Sequence, residues 1–174
     1  DDLLPLLKGV EKLQAKYKGK ELELRSAIRH DIILDQEELF KKIMKFARRL
    51  KIAPEHISDS VLKQMNKADG QAFVKFLELY KRTSSKNLVP YFVAAHPGST
   101  MDDMKKLKKF CDKNELYVNL TQVFTPTPGT MSTAMYYSGE NLKTGKKIHV
   151  PRTFREKKDQ KNVLLDSEVV DDNA

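Results

Sequence analysis

Two patterns of apolar residues alternate along the chain. Amphipathic segments carry apolar residues at spacings of three and four, which is typical of helices with one buried face. Between them lie short apolar segments that end in clusters of glycine, proline, histidine or acidic residues, which is typical of strands followed by loops. The first pattern predicts helices that begin near residues 2, 35, 59, 71 and 100. The second predicts strands over residues 21–28, 51–54, 88–95 and 117–124.

The predicted elements follow the order α-β-α-β-α-α-β-α-β. Strands that alternate with helices pair in parallel through right-handed crossovers, so the sequence predicts an α/β fold. A closed eight-fold barrel needs roughly 200–250 residues, whereas this chain has 174. An open four-stranded sheet and a parallel (βα) half-barrel both fit, and the half-barrel is favoured because the chain starts without Met, inside a predicted helix. We therefore expect a piece of a longer chain, whose first strand leaves an open edge that invites self-association.

The regular alternation stops near residue 131. Residues 139–165 predict a turn or hairpin around Gly139 and Gly145, followed by a short basic helix. Residues 166–174 are expected to be a disordered tail. The predicted organisation is thus a barrel segment over residues 1–138, a C-terminal extension over residues 139–165, and the tail.

Composition and charge narrow the class of protein. Apolar residues make up 40% of the chain, which is enough for a core. No apolar run approaches the ~20 residues of a membrane helix, and the first residues lack a secretory signal, so we expect a cytoplasmic protein with no membrane partner. The net charge of +8 suits a nucleic acid. That partner is not favoured, because the basic runs lie on predicted helix faces without interleaved aromatic residues.

The chain has one cysteine, Cys111. One cysteine excludes a disulfide framework, and it excludes a metal or cluster site built only from cysteines of this chain. Cys111 lies on an apolar helical stripe, so a core position is favoured over a nucleophile. Candidate chemistry therefore rests on histidine, carboxylate, arginine and hydroxyl side chains.

Such side chains collect at the predicted strand ends, where parallel α/β folds place their active sites. Three successive strand ends carry a histidine, which are His30, His56 and His96. One interpretation is a metal site of three histidines and an acid, as in hydrolase barrels. A second is a polar pocket for a charged or hydroxylated small molecule. A third interpretation gives these histidines a purely structural role, in which they form hydrogen bonds with helix N-termini and loop carbonyls.

Five segments together resemble a known family. They are similar, in order and with little insertion, to the second half of YgiQ-type radical SAM proteins, which are bacterial. The methylthiotransferase branch of radical SAM enzymes shows a more distant similarity. The segments are SAIRHD (26–31), KIAPEHISDSVLKQMNK (51–67), LVPYFVAAHPGSTMDDM (88–104), QVFTPTPGTMSTAMYYSG (122–139) and VPRTFREK (150–157).

The resemblance implies a fold, two cofactors and a reaction. The fold is a partial parallel TIM barrel, of which this chain would form the C-terminal part. The cofactors are a 4Fe-4S cluster and S-adenosylmethionine at the strand C-terminal ends, where the reduced cluster cleaves S-adenosylmethionine to a 5′-deoxyadenosyl radical. The family's Cys-x3-Cys-x2-Cys motif is absent, so the chain alone is expected to be inactive and to bind neither cofactor. Its partners would be the missing N-terminal half, S-adenosylmethionine and an unknown substrate.

The resemblance also implies a set of cofactor-binding residues. Glu55 would accept hydrogen bonds from the hydroxyl or amino groups of S-adenosylmethionine, and Arg29 would pair with its carboxylate. Thr125 would lie beside the adenine. The full set is Ser26, Arg29, Glu55, His56, His96 and Thr125.

Two alternative functions stay open at this point. One is a self-contained metal hydrolase that uses His30, His56 and His96. The other is a non-enzymatic module that binds a partner through its open sheet edge or its basic helices.

Overall fold

The computed structural model describes residues 2–17 and 22–165. Within these residues it contains seven helices and three strands. The helices are α1 (Leu3–Lys16), α2 (Glu37–Phe46), α3 (Asp59–Gln64), α4 (Gly70–Thr83), α5 (Met101–Lys113), α6 (Met131–Ser138) and α7 (Phe154–Leu165). The strands are β1 (Arg49–Glu55), β2 (Asn87–Ala94) and β3 (Leu120–Val123).

The three strands form one parallel sheet with the order β1-β2-β3. β2 and β3 pair in register from Tyr91 opposite Leu120 to Ala94 opposite Val123. Helices connect the successive strands, as parallel pairing requires. The predicted α/β class and the parallel direction are therefore confirmed.

The predicted first strand, over residues 21–28, is wrong as a strand. Residue 21 lies outside the described residues, and the rest of the segment makes one isolated parallel bridge, between Ile28 and Ile52. Leu24 also donates its backbone N–H to the carbonyl of Phe46. The pairing stops there because the apolar alternation has no buried face: Leu22 is half exposed and Leu24 is only partly covered.

The other strands match their predictions within a few residues. β1 is longer than the predicted 51–54, and β3 is shorter than the predicted 117–124. Burial alternates along β2, where Pro90, Phe92 and Ala94 are buried while the residues between them are only partly covered. One face of the strand therefore packs against the core, and the other face stays accessible.

The chain divides into two compact units. Unit 1 contains residues 1–53 and 71–89, and unit 2 contains residues 54–70 and 90–174. The core of unit 1 is aromatic, with the Phe40 and Phe76 rings in edge contact at 5.7 Å. In the same unit, two ion pairs join α1 to α2, because Glu11 of α1 binds both Lys42 and Lys45 of α2.

Unit 2 is held together by a buried glutamine on α7, which packs against α5 and β3. Gln160 is wholly buried. Its Oε1 accepts the backbone N–H of Ala95 at 2.9 Å and the Ser99 hydroxyl at 3.0 Å, and its Nε2 donates to the Ser99 carbonyl at 3.1 Å. These bonds satisfy buried polar groups at the turn between β2 and α5.

Of the turn or hairpin, the basic helix and the tail that the sequence predicts for the C-terminal region, the first two are present in the structure. Gly139 and Gly145 adopt left-handed φ angles of 71° and 67°. Glu140 pairs with Lys147 in an isolated antiparallel bridge, as expected for a hairpin. The basic helix is present as α7. α6 was not predicted, because its short sequence carries no regular apolar stripe. The predicted tail over residues 166–174 lies outside the described residues.

The helix starts differ in how they are capped. Thr100 caps α5, since its side chain accepts the N–H of Asp103 while Asp103 accepts the N–H of Thr100. α2 begins after Gln36, whose side chain forms no cap bond. Among the described residues, no helix combines the length and the apolar character needed to cross a membrane.

We predict that Gln160→Met lowers the free energy of unfolding by about 2–4 kcal/mol, because it leaves the Ala95 N–H and the Ser99 groups buried without partners. Lys158→Met on the exposed face of the same helix is the matched control and should change it by less than about 0.5 kcal/mol. Urea denaturation measures both. Equal effects of the two variants would mean that the glutamine contributes only its volume.

Candidate functional site

β1 and β2 end in the same uncommon backbone conformation. Glu55 and Ala95 have φ angles of 68° and 61°, in the left-handed region that few residues other than glycine adopt. Each is followed directly by a buried histidine, His56 or His96. Such backbone strain persists only where the surroundings enforce it, and it is concentrated at functional sites. The ends of these two strands therefore form the candidate site.

The imidazole of His56 is fixed by the backbone that follows it. Its Nδ1 accepts the N–H groups of Ile57 at 2.9 Å and Ser58 at 3.0 Å. The proton of the neutral ring must then be on Nε2, which is buried and has no hydrogen-bond partner among the described residues. Burial lowers the pKa of His56 from 6.5 to about 4, although the Asp103 carboxylate acts in the opposite direction. His56 thus presents a neutral, unpartnered N–H.

The imidazole of His96 has partners on both nitrogens. Its Nδ1 lies 2.8 Å from the Pro97 carbonyl, which can only accept, so the proton of the neutral ring is on Nδ1. Its Nε2 then accepts the Ser132 hydroxyl at 2.8 Å. The ring also makes an edge contact with Phe124 at 5.1 Å. Burial lowers the pKa of His96.

The turn after His96 depends on a glycine. Gly98 has a φ angle of 92°, and a Cβ atom there would lie 2.8 Å from the Cγ atom of Gln64. Its N–H donates to the His149 carbonyl at 2.7 Å. Both the conformation and the close approach require glycine at this position. Pro97-Gly98-Ser99-Thr100 thus form the turn between β2 and α5.

Glu55 and Thr125, the other two predicted residues of unit 2, are at least partly accessible. The Glu55 carboxylate forms an ion pair with Lys67 at 3.3 Å. Thr125 lies in the wall of an open cavity of about 590 Å³. The same wall contains Lys161 and Thr121, whose buried hydroxyl has no partner among the described residues. Cationic and hydroxyl groups of this kind suit a polar ligand.

Ser26 and Arg29 belong to unit 1. The Arg29 guanidinium donates to the Asp31 carboxylate, and this pairing raises the pKa of Arg29 and lowers that of Asp31. Ser26 lies at the mouth of a mostly apolar cavity of about 370 Å³. His30 packs against the Phe73 and Phe76 rings of the unit 1 core. A single cavity that contains the residues of both units stays a prediction.

Sequence reasoning missed two residues that position the strand ends. Ser132 binds His96, and Gln160 binds the turn that carries it. Ser132 could have been found from the Pro-Gly-Thr segment before it, because Thr130 is a good N-cap and accepts the N–H of Thr133. Gln160 left no such signal, since a glutamine in a basic helix usually faces water.

The described residues contain no group of three or more histidine, cysteine or acidic side chains that could hold a metal ion. Cys111 is buried in the core, as predicted. Burial raises the pKa of its thiol to about 12, so the reactive thiolate is absent near neutral pH.

Cys111 should therefore resist iodoacetamide in the native protein at about pH 8 and react rapidly once the chain is unfolded in urea. Mass spectrometry of the alkylated chain measures both rates. Rapid alkylation of the native chain would show that the helix opens or that the thiol is accessible.

We further predict that acidification destabilises the fold through His56. Its folded pKa of about 4 lies below the unfolded value of 6.5, so the unfolded chain takes up the proton first. Stability is therefore lost as the pH falls from 6.5 towards 4, by at most about 3 kcal/mol. The lowered pKa of His96 acts in the same direction.

Urea denaturation at several pH values should give a flatter pH dependence for His56→Gln than for the parent chain. Leu142→Ala, which truncates a non-ionisable side chain that is 47% exposed, is the control and should keep the parent slope. An unchanged slope in His56→Gln would contradict the assignment.

Comparison with known proteins gives the relatives of the chain. No protein-family model matches it. It is 44% identical over 153 residues to a UPF0313 protein of Methanocaldococcus jannaschii, an alignment that covers 82% of the chain and 25% of the relative. A UPF0313 protein of Geobacter sulfurreducens is 39% identical over 153 residues, and this alignment covers 84% of the chain and 25% of the relative. The chain spans about a quarter of the length of these curated relatives. Its homologues are thus UPF0313 proteins, which occur in archaea as well as in bacteria.

Proposed function

We propose that the chain is the C-terminal part of the barrel of a radical SAM enzyme and that its strand ends contribute to the binding of S-adenosylmethionine. The resemblance of five segments to YgiQ-type radical SAM proteins motivates the proposal. The parallel sheet, with burial that alternates along β2, is compatible with half of such a barrel. Because the UPF0313 relatives are about four times as long, the activity belongs to the longer protein.

The unpartnered N–H of His56 carries the proposal. A buried donor without an acceptor costs about 1–3 kcal/mol. The backbone holds the ring in this tautomer through two hydrogen bonds to Nδ1, so the ring cannot relieve the cost by exchanging its proton. A ligand oxygen that accepts from Nε2 would remove the cost. S-adenosylmethionine offers such acceptors in its ribose hydroxyls and its carboxylate.

The neighbouring residues complement the same ligand. The Glu55 carboxylate can accept from ribose hydroxyls or from an amino group. The polar cavity beside Thr125 can receive a base at the end of β3. His96 would orient this region without binding the ligand, since Pro97 and Ser132 occupy both of its nitrogens.

The residues of this chain do not fit an iron–sulfur cluster. The single cysteine is buried and its pKa is raised to about 12, whereas a cluster requires several thiolates. The cluster would therefore be held by the part of the longer protein that this chain lacks. When both cofactors are bound, they supply a 5′-deoxyadenosyl radical for hydrogen abstraction. The role left to this chain is to bind and orient S-adenosylmethionine and to shield it from water.

No observation supports the metal-hydrolase alternative in the way that the unpartnered N–H of His56 supports the proposal above. It requires a free nitrogen on each of three histidines, but both nitrogens of His96 have partners. His56 is neutral at physiological pH. Its Nδ1 is occupied by backbone N–H groups, so only Nε2 is left to bind a metal ion.

We predict that Glu55→Gln in the full-length gene product, with its cluster reconstituted, weakens binding of S-adenosylmethionine at least about tenfold, because a hydrogen bond to a charged group is lost. Equilibrium dialysis measures the affinity, and release of 5′-deoxyadenosine measures the reductive cleavage.

Lys67→Gln is the matched control, because it breaks the same ion pair from the other side and leaves the carboxylate in place. It should change the affinity by less than about threefold. If both variants lose affinity equally, Glu55 acts only through its ion pair. If neither does, the proposed binding site is wrong.

A further inference from the structure

Two of the most exposed aromatic residues in the described part of the chain are near neighbours of one arginine in unit 2. Tyr137 is 70% exposed and Phe154 is 82% exposed. Arg152 donates from Nη2 to the Tyr137 carbonyl at 3.1 Å and precedes Phe154 by two residues. Exposed apolar side chains that occur singly need no explanation, but two large rings beside a shared cation form a patch.

The patch lies in a strongly basic part of the chain. Residues 143–161 contain eight lysines and arginines against two acidic residues, a surplus of six, whereas the whole chain carries +8. Within the described part of the chain, ion pairs with carboxylates engage only Lys147 and Arg155 of these eight. The described residues of this region therefore carry a surplus of positive charge, which suits an anionic partner.

Two cations lie beside the same aromatic ring, that of Tyr136. The Arg152 guanidinium lies 5.2 Å and the Lys157 ammonium lies 4.9 Å from the centre of the Tyr136 ring. Lys157 also donates to the Tyr136 hydroxyl at 3.0 Å. Among the described residues, no carboxylate forms an ion pair with either cation. Like charges in proximity repel, so this arrangement favours the binding of an anion such as phosphate.

We propose that this surface binds single-stranded nucleic acid, with backbone phosphates on Arg152 and Lys157 and bases stacked on Tyr137 and Phe154. Phosphate neutralisation provides the electrostatic part of such binding, and aromatic rings provide a stacking part that needs unpaired bases. A duplex keeps its bases stacked inside, so it cannot use the rings. The proposal stands independently of S-adenosylmethionine binding, because none of its four residues belongs to that site.

The surface is tested in the full-length gene product with a fluorescein-labelled oligouridylate of about 12 nucleotides, by fluorescence anisotropy across a salt titration. Phe154→Ala and Tyr137→Ala should each raise the Kd at least about fivefold, whereas Phe154→Tyr should keep the parent affinity. Arg152→Gln should weaken binding and make the slope of log K against log salt shallower by about 0.7. Tyr117→Ala, which removes a ring that is 74% exposed outside the patch, is the control and should have no effect.

Two competing ligands complete the experiment. Double-stranded RNA of the same length and inorganic polyphosphate should compete at least about fivefold more weakly than unlabelled oligouridylate, since neither offers unpaired bases. Equal competition by polyphosphate would reduce the surface to nonspecific charge. Absence of binding, or binding that neither aromatic variant changes, would overturn the proposal and indicate that another part of the longer protein covers the patch.

Discussion

The side-chain amide of Gln160 connects α7 to the point where β2 turns into α5, and the arrangement of unit 2 depends on this connection. The turn has an alanine in a left-handed conformation, and its N–H would be buried without a partner if Gln160 were absent. The same amide binds both the hydroxyl and the carbonyl of Ser99. A strained turn is stable only when its polar groups are satisfied. The C-terminal helix is therefore an integral part of the unit that contains His96.

This dependence explains how two histidines at similar strand ends acquire different chemistry. The backbone after β1 supplies two donors to His56, which leaves its remaining N–H unpartnered. The turn after β2 instead supplies a carbonyl to His96, and α6 supplies the Ser132 hydroxyl. Of the two histidines, only His56 then keeps an N–H without a partner among the described residues. The opposite tautomers arise because the neighbours of each ring determine which nitrogen accepts a hydrogen bond and which carries the proton.

The C-terminal region adds charge as well as structure. α7 buries Gln160 and Leu164 on one side and carries basic residues on the other. Tyr136 on α6 contacts Phe124 and also lies beside Arg152 and Lys157. A continuous set of ring contacts thus leads from His96 through Phe124 to the cationic surface. Two neighbouring parts of unit 2 therefore differ in character, one neutral and buried and the other cationic and exposed.

The sequence by itself determined the fold class, the parallel direction of the sheet, most helix positions and the core position of Cys111, because each follows from periodicity or from the chemistry of a single residue. It also identified the strand ends that carry His56 and His96. The tertiary structure alone decided that residues 22–28 form one bridge instead of a strand, since this depends on whether a second layer covers Leu22 and Leu24. It alone decided the tautomers of the histidines, the partners of Gln160 and the meeting of Tyr137 with Arg152. These features join residues that are distant in sequence or depend on backbone angles, and no local pattern encodes them.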